Sequence, residues 1–342
     1  MNAHLPERRA FHEFVSRHAK FLLTTHINPD GDGLGSEVAM GLWLAAMGKS
    51  VRILNDAPVP AAFRFLAHTI PIDAFEAERG ETSLEEADAL IVLDTSNRQR
   101  IGRLAPLLDR HAIPIAIVDH HVSHASGFGR VNLIEPEASA TGEIVYQLIR
   151  EAGGQVTKEI AEGLYVALMT DTGSFRYSNT DTDAHRMAAE LLSLGLDPQR
   201  LYAQVHSHAS AERMRFFGEV LSALTLESEG RVVVLEARPE QFQKHGLTGA
   251  DTDGLVDLPR GIAGAEVVAL FSELEPGKVK VSLRSTGRVT IDAVASRLGG
   301  GGHSHAAGVM LHATRAEARA KILPELERLV GELRPAGEPR RE

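Results

Sequence analysis

The sequence predicts an α/β chain in two parts: a parallel sheet with helices on both faces, then a smaller mixed α/β domain. Three observations predict it. Apolar runs rich in Val, Ile and Leu ("FLLTTH", "SVRILND", "ADALIVLDT", "IPIAIVDHH") alternate with helical segments in the first part, and buried strands separated by helices read as a parallel sheet covered on both sides. After Gly230 the pattern changes, with "RVVVLEA", "AEVVALFSEL" and "KVKVSLRS" reading as strands. At 342 residues, 43% of them hydrophobic, the chain exceeds one compact core.

Taken in order, Pro6 to Lys20 reads as an amphipathic helix and "FLLTTH" as a strand ending at His26. "NPDGDG" reads as loop, and Leu34 to Met47 has helical length and composition. Ala138 to Gly154 reads as a helix closed by glycine. "TKEIAEGLYVALMTDTGS" reads as the next, with Ile160, Leu164 and Leu168 on one stripe and Asp171 at its C-terminal end. Thr182 to Leu224 reads as helical, broken at "GLDP". In the second part a helical "VTIDAVASRL" precedes "GGGGHSHAAG", and a strand "AAGVMLHA" and a helix from Thr314 to Leu333 close it. The expected division is a first domain over 1–185, a helical linker over 186–225, a second domain over 226–335 and a polar tail over 336–342.

Composition removes several classes. Cysteine is absent, so a metal must sit on His, Asp, Glu or backbone oxygen. The first twenty residues are polar and basic, without the apolar core of a secretory leader. The longest apolar stretch, Val38 to Gly48, is too short to span a bilayer. A cytoplasmic protein with no membrane partner is the expectation, and a homodimer stays open. The formal net charge is −10. Long nucleic acid is gripped through a broad basic surface, so any nucleic-acid substrate should be short.

The chemistry concentrates at strand ends. His26, Asp30, Asp32, Asp94, Asp119, His120 and His121 each fall at or just after a predicted buried strand. In a parallel sheet those ends share one edge, where ligands bind, and Asp171 can join them from its helix end. Each residue has a plainer reading: turn chemistry for Asp30 and Asp32, a helix cap for Asp94, a solvated helix end for Asp171. Four clusters of one chemistry at four equivalent positions favour a shared site. So many carboxylates would repel one another without cations. A sulfur-free imidazole and carboxylate set suits Mn2+, with Mg2+, Co2+ or Zn2+ as competitors. Two ions fit better than one, and Asp30 and Asp32 would each face one, with the glycines folding the loop tightly.

"HINPDGDGLGS", "VLDTSN", "VDHH" and "MTDTGS" resemble, in order, the four motifs of the DHH phosphoesterase family. "GGGGHSHAAG" resembles the signature of its DHH-associated C-terminal domain, so the resemblance runs from Phe21 to His312. "FGRVNLIEPEASATGEIVYQL" and "DTGSFRYSNT" are similar to the nanoRNase type, which degrades very short oligoribonucleotides. Some members of that type also hydrolyse 3′-phosphoadenosine-5′-phosphate or linear products of cyclic dinucleotides. The resemblance implies a catalytic, metal-binding first domain and a substrate-binding second domain. It implies His26, Asp30 and Asp94 on one metal, and Asp32, Asp94, His120 and Asp171 on the other, with Asp94 bridging. His121 would contact the phosphate or leaving oxygen, and Asp119 would orient an imidazole.

In the second domain, Val279, Val281 and Leu283 alternate with Lys278, Lys280 and Arg284, so one strand face is apolar and the other basic. Five basic residues and one acidic residue lie between Lys278 and Arg297. Arg284 reads as a phosphate fork. Gly300, Gly301 and Gly302 read as a backbone nest for an anion, and His303 as a phosphate or base contact. Arg100, close after Asp94, is a further candidate for holding substrate. Helix N–H groups near "ASAT" could meet a phosphate, or serve only to start the helix.

The expected function is therefore a two-metal phosphodiesterase acting on short oligoribonucleotides, linear dinucleotides and the 3′,5′-bisphosphate. The alternatives are a cyclic-dinucleotide phosphodiesterase, a RecJ-like single-strand exonuclease, an inorganic pyrophosphatase and a non-enzymatic nucleotide sensor. The net charge of −10 disfavours tracking a long strand. The Gly-rich second domain has no use for pyrophosphate, and no candidate ligand is missing as a sensor would allow.

Overall fold

The computed structural model describes residues 4–121, 127–207 and 209–333. The chain divides into two compact units, Met1–His208 and Ala209–Glu342.

The first unit opens with α1 (Leu5–Arg17), then β1 (Lys20–Thr24), α2 (Gly31–Ala46), β2 (Ser50–Asn55), β3 (Ile72–Ala74), α3 (Ala77–Glu86), β4 (Ala89–Leu93), β5 (Ile115–Asp119) and β6 (Val131–Ile134). It ends in α4 (Thr141–Glu151), α5 (Lys158–Asp171), α6 (Thr182–Ser193) and α7 (Pro198–His206). The six strands pair in the order β3-β2-β1-β4-β5-β6, parallel throughout. Neighbouring strand residues serve opposite faces, as strand pleating requires. Phe21, Leu23, Ile91 and Val118 meet α1, α2, α4 and α5, whereas Leu22, Leu90, Val92 and Ile117 meet α3 and the 3₁₀ segment Arg98–Asp109.

The helix after β1 starts earlier than the sequence suggests. Gly31, Asp32 and Gly33 form its first turn and Asp30 is its N-cap, so the loop is shorter than "NPDGDG". Nor do these glycines serve a tight turn. A Cβ on Gly33 would meet Thr25 Oγ1 at 2.4 Å, one on Gly31 the Thr170 side chain at 2.5 Å, and one on Gly35 the Gly163 carbonyl at 2.2 Å. They let α2 press against β1 and α5, which brings the start of α2 beside the end of α5.

The second unit runs α8 (Ala211–Ser222), β7 (Thr225–Glu227), β8 (Val232–Ala237), α9 (Pro239–His245), β9 (Val267–Glu275), β10 (Lys278–Ser285), α10 (Asp292–Arg297), β11 (Gly301–His303), β12 (Ala306–Leu311) and α11 (Arg315–Gly331). Its mixed sheet has the order β11-β12-β10-β9-β8-β7, with only β8 and β9 parallel. Val279, Val281 and Leu283 face α10 and α11. The other face of β8 and β9 packs against α8, α9 and the turn Leu255–Gly261.

The segment 186–225 carries most of α6, then α7, α8 and the start of β7, and its helices pack into the two cores. Met187, Leu191, Leu201 and Val205 are buried in the first core, and Phe216, Phe217 and Val220 in the second. Four strands are not visible in the sequence: β3, β6, β7 and β11 are only three or four residues each, too short to show a period. Among the described residues, no helix is long and apolar enough to cross a membrane. The expected tail, 336–342, lies outside the described residues.

Candidate metal centre

The strand order of the first unit reverses between β1 and β4, and such a reversal opens a crevice at the strands' carboxyl ends. His26 follows β1, Asp94 follows β4, and Asp119, His120 and His121 end or follow β5. Asp30 and Asp32 come from the start of α2, and Asp171 from the last turn of α5.

Each imidazole is held from behind. His26 Nδ1 donates to the Ile27 carbonyl at 2.8 Å, which turns Nε2 toward Asp94 Oδ2 at 3.3 Å and Asp30 Oδ2 at 3.6 Å. His120 Nδ1 donates to the Ala138 carbonyl at 3.1 Å. Its Nε2 stands 3.5 Å from Asp171 Oδ2, 3.7 Å from Asp32 Oδ2 and 3.8 Å from Asp94 Oδ1. His121 differs, because its Nδ1 bonds Asp119 Oδ1 at 2.7 Å. That buried carboxylate also accepts the His121 N–H at 3.1 Å.

The carboxylates are oriented as firmly. Asp30 Oδ1 caps α2 by accepting the Asp32 and Gly33 N–H groups at 3.1 Å each, while Oδ2 faces His26. Asp32 is 1% exposed and accepts from Thr141 N at 2.7 Å, Gly142 N at 2.9 Å and Ser36 Oγ at 3.2 Å. Asp94, 2% exposed, accepts from Thr141 Oγ1 at 2.9 Å. Its φ of 63° is left-handed, a strained conformation outside glycine. The plain helix-cap reading of Asp94 therefore fails, whereas Asp30 is a cap and a cluster member at once.

Crowded like charge shows in the proton affinities. Burial, with Asp94, Asp171 and Asp30 nearby, pushes the Asp32 carboxyl well above the usual range. Asp171 rises to about 6 through burial and the charges of Asp94 and Asp30, against the pull of His120. Burial works against a charged His26, but Asp30 and Asp94 outweigh it and lift the ring to about 10. Burial likewise opposes the His121 cation, yet Asp119 and Asp94 raise it, with the Arg100 charge opposing. Beneath the cluster, Glu37 is fully buried and pushed up to about 8 by that burial. It accepts from Asn55 Nδ2 at 2.7 Å, and Asn55 Oδ1 accepts the Thr25 N–H at 3.1 Å, one residue before His26.

Among the described residues, three groups could hold a metal ion: His26, Asp30 and Asp94; Asp32, His120 and Asp171; and Asp94, His120 and His121, with ligand atoms in each within 4.8 Å of one another. The fit is chemical as well as geometric. Both Nε2 atoms are turned inward by carbonyl bonds at Nδ1, the usual orientation of a ligating histidine, and the surplus of carboxylates calls for a cation.

The remaining candidates are less concentrated. Arg100 accepts the Ile27 N–H through its carbonyl at 2.6 Å. Arg284 Nε lies 3.3 Å from Asp257 Oδ1 and is no bare fork. The glycine run is shaped by the fold: Gly299 has φ 83° and Gly302 φ 146°. A Cβ on Gly300 would meet the Gly308 carbonyl at 2.2 Å. Gly301 to His303 forms β11, paired with β12, so the run is an edge strand where a nest was expected. The His303 side chain lies outside the described residues. The α4 N–H groups near "ASAT" are taken by Asp32. Thr141, Gly142 and Asn179 lie inside the stretches "FGRVNLIEPEASATGEIVYQL" and "DTGSFRYSNT", but nothing in the sequence ties them to Asp32, Asp94 or Asp171, and Glu37 and Asn55 carry no mark. A further signal is Ala140 at a helix start where a capping side chain is usual.

Fold and cluster together define an α/β protein whose sheet reversal carries side chains that could hold metal ions. The chain belongs to the DHH family: the model of the DHH family, N-terminal domain, matches residues 20–168 and that of the DHHA1 domain residues 229–332. A bifunctional oligoribonuclease and PAP phosphatase NrnA of Thermus thermophilus is 33% identical over 289 residues, 84% of this chain and 83% of its own. The protein of the same name from Bacillus subtilis is 26% identical over 325 residues, 93% of this chain and 97% of its own. A solved structure described as an exopolyphosphatase-related protein from Bacteroides fragilis superposes with a TM-score of 0.89 at 26% identity. It covers 96% of this chain and 98% of that one.

Proposed function

We propose that the chain is a two-metal phosphodiesterase that degrades very short oligoribonucleotides, linear dinucleotides included, to mononucleotides, and that also hydrolyses 3′-phosphoadenosine-5′-phosphate. The position of Asp94 carries the reading. It belongs to the group with His26 and Asp30, and its Oδ1 lies 3.8 Å from His120 of the group with Asp32 and Asp171. One carboxylate thus stands between two ligand sets. The names of the two oligoribonuclease relatives support the substrate class.

In this reading His26, Asp30 and Asp94 hold one divalent ion and Asp32, Asp94, His120 and Asp171 the other, with Mn2+ the best match to a nitrogen and oxygen set. Such ions, when bound, supply a nucleophile from water and offset charge developing on the phosphoryl group. Asp119 fixes the His121 ring through Nδ1, and Nε2 contacts the phosphate or the leaving oxygen. The second unit holds the rest of the substrate through Arg284, Gly300, Gly301, Gly302 and His303, and Arg100 assists from the first. Arg284 would exchange Asp257 for a phosphate, since both side chains of that pair keep about a third of their surface in solvent and such pairs contribute only about 1 kcal/mol or less.

The test is turnover with Mn2+ on ribo-oligomers from two nucleotides to roughly two dozen, and on the bisphosphate, at two salt concentrations. Turnover should peak between two and about five nucleotides, more sharply at low salt, where repulsion from a chain of net charge −10 is least screened. A long strand cut as fast as a dinucleotide would replace this reading with a single-strand exonuclease. Full activity after exhaustive chelation would remove the metals.

A further inference from the structure

Within the strip Ala138 to Gly142, three residues touch candidate ligands from three different elements, and a fourth, Ser139, holds Asn179. The Ala138 carbonyl accepts from His120 Nδ1 at 3.1 Å. The Thr141 and Gly142 N–H groups hold the two oxygens of Asp32 at 2.7 and 2.9 Å, and the Thr141 hydroxyl holds Asp94 Oδ1 at 2.9 Å. The Ser139 carbonyl accepts from Asn179 Nδ2 at 2.9 Å, and the same amide lies 3.2 Å from the Asp171 carbonyl and 3.4 Å from Asp171 Oδ2. Ser139 Oγ donates back to the Asn179 carbonyl at 2.6 Å.

Two local irregularities accompany this strip. The first turn of α4 has no cap from the residue at its N-cap, which is Ala140; the Thr141 and Gly142 N–H groups are filled by the Asp32 carboxylate from α2, favoured by the helix dipole. Between Asp171 and Asn179, Gly173, Ser174 and Phe175 have φ of 56°, 59° and 63°. Three left-handed residues in a row are disfavoured for L side chains. This run carries the chain back, so that Asn179 returns to Asp171. Thr172 Oγ1 accepts the Phe175 N–H at 3.1 Å, and Phe175 stacks on His185 at 5.6 Å.

We propose that Thr141 and Asn179 are positioning residues of the metal centre: Thr141 sets the two carboxylates Asp94 and Asp32 through its hydroxyl and N–H, and Asn179 sets Asp171 against the same strip. Without these donors the carboxylates would spread apart in the absence of cations. With them, the ligand atoms stand preassembled, and little reorganisation precedes metal entry. The inference rests on the cluster being a metal centre.

The test compares wild type with Thr141→Val, Thr141→Ser and Asn179→Ala. Mn2+ affinity is measured by equilibrium dialysis, thermal stability with and without Mn2+, and kcat and KM on a linear dinucleotide. Thr141→Val, close in shape but without the hydroxyl, should bind Mn2+ about 10- to 100-fold more weakly. Its stability gain from Mn2+ should shrink, and its kcat should fall while KM stays within about twofold. Thr141→Ser should restore affinity to within about threefold, because the donor returns. Asn179→Ala should lose about tenfold in affinity. A Thr141→Val protein with wild-type Mn2+ affinity, or a Thr141→Ser protein no better than Thr141→Val, overturns the role of the hydroxyl. If Thr141→Val fails to fold, Asn179→Ala decides, and its wild-type affinity overturns the proposal. A wild-type protein that binds no Mn2+ removes the metal centre itself, a different and separately visible failure.

Discussion

Both the carboxylate cluster of the first unit and the basic stretch of the second unit are, in sequence, like charges set among glycines, and the fold treats them in opposite ways. In the first, Asp30, Asp32, Asp94 and Asp171 converge on His26 and His120; burial and neighbouring carboxylates raise Asp32 and Asp171, and Asp30 and Asp94 raise His26. In the other, every member of the basic stretch meets a carboxylate. Lys278 lies 3.6 Å from Glu275, Lys280 3.9 Å from Asp253, Arg284 3.3 Å from Asp257, Arg288 2.5 Å from Glu266 and Arg297 2.7 Å from Glu325. Charge left uncompensated by the chain marks the place where something outside the chain completes the site. Charge compensated by the chain's own carboxylates must exchange a partner before it can hold a ligand.

The largest expected effect breaks the first region. Asp94→Ala removes the carboxylate that the proposal places on both ions, and turnover of a linear dinucleotide with Mn2+ should fall more than about 100-fold, since even outer partners of ligands are worth 10- to 100-fold. Retention of a tenth of wild-type turnover would show that Asp94 bridges nothing.

A smaller effect separates the regions. Arg284→Ala should raise KM for a dinucleotide about tenfold and leave a small chromogenic phosphodiester nearly untouched, because uniform binding is lost and chemistry is not. Equal losses on both substrates would merge the two roles.

Glycines sharpen the contrast through stability. Gly35→Ala sets a Cβ against the Gly163 carbonyl at 2.2 Å and should lower stability by about 1–3 kcal/mol, a melting shift of several degrees. Gly301→Ala meets nothing within 4 Å and carries no left-handed φ, so its melting temperature should stay within about a degree. A normal Gly35→Ala protein would mean that α2 and α5 need not touch for Asp32 and Asp171 to meet.

The pH dependence of the metal-free protein is the gentlest probe. Asp171 is raised from 3.8 to about 6, Glu37 from 4.5 to about 8 and His26 from 6.5 to about 10. Each folded pKa lies above its unfolded value. The folded state therefore binds more protons, and stability falls as pH climbs through these windows, from about 4 to about 10. Melting curves in chelator across that range should show the decline, and Mn2+ should flatten it. A metal-free protein whose stability rises from pH 6 to 9 would contradict the proton affinities of the cluster.

How much of this was legible follows from the length and range of each signal. β1, β2, β4 and β5 announced themselves as long buried runs, and the residues ending them had to share an edge once the sheet was parallel. The start of α2 was misread because glycine and aspartate usually break helices; here Asp30 caps one, and the glycines make room for Thr25 and Thr170. Nothing local shows that. Thr141 and Asn179 stayed hidden because their meaning lies in contacts 47 and 8 residues away in sequence. The ion pairs of the basic stretch stayed hidden for the same reason: Glu275, Asp253, Asp257, Glu266 and Glu325 lie outside it in sequence.

The central claim, that the first unit holds two divalent ions on one shared carboxylate, has a direct measurement. Equilibrium dialysis of the chelator-stripped protein against Mn2+, run beside Asp94→Asn, counts ions bound per chain. The account predicts two ions on the wild type, and weakened binding of both in the variant because the shared ligand serves each. A count of one or none on the wild type, or an Asp94→Asn protein that binds both ions as the wild type does, would contradict it.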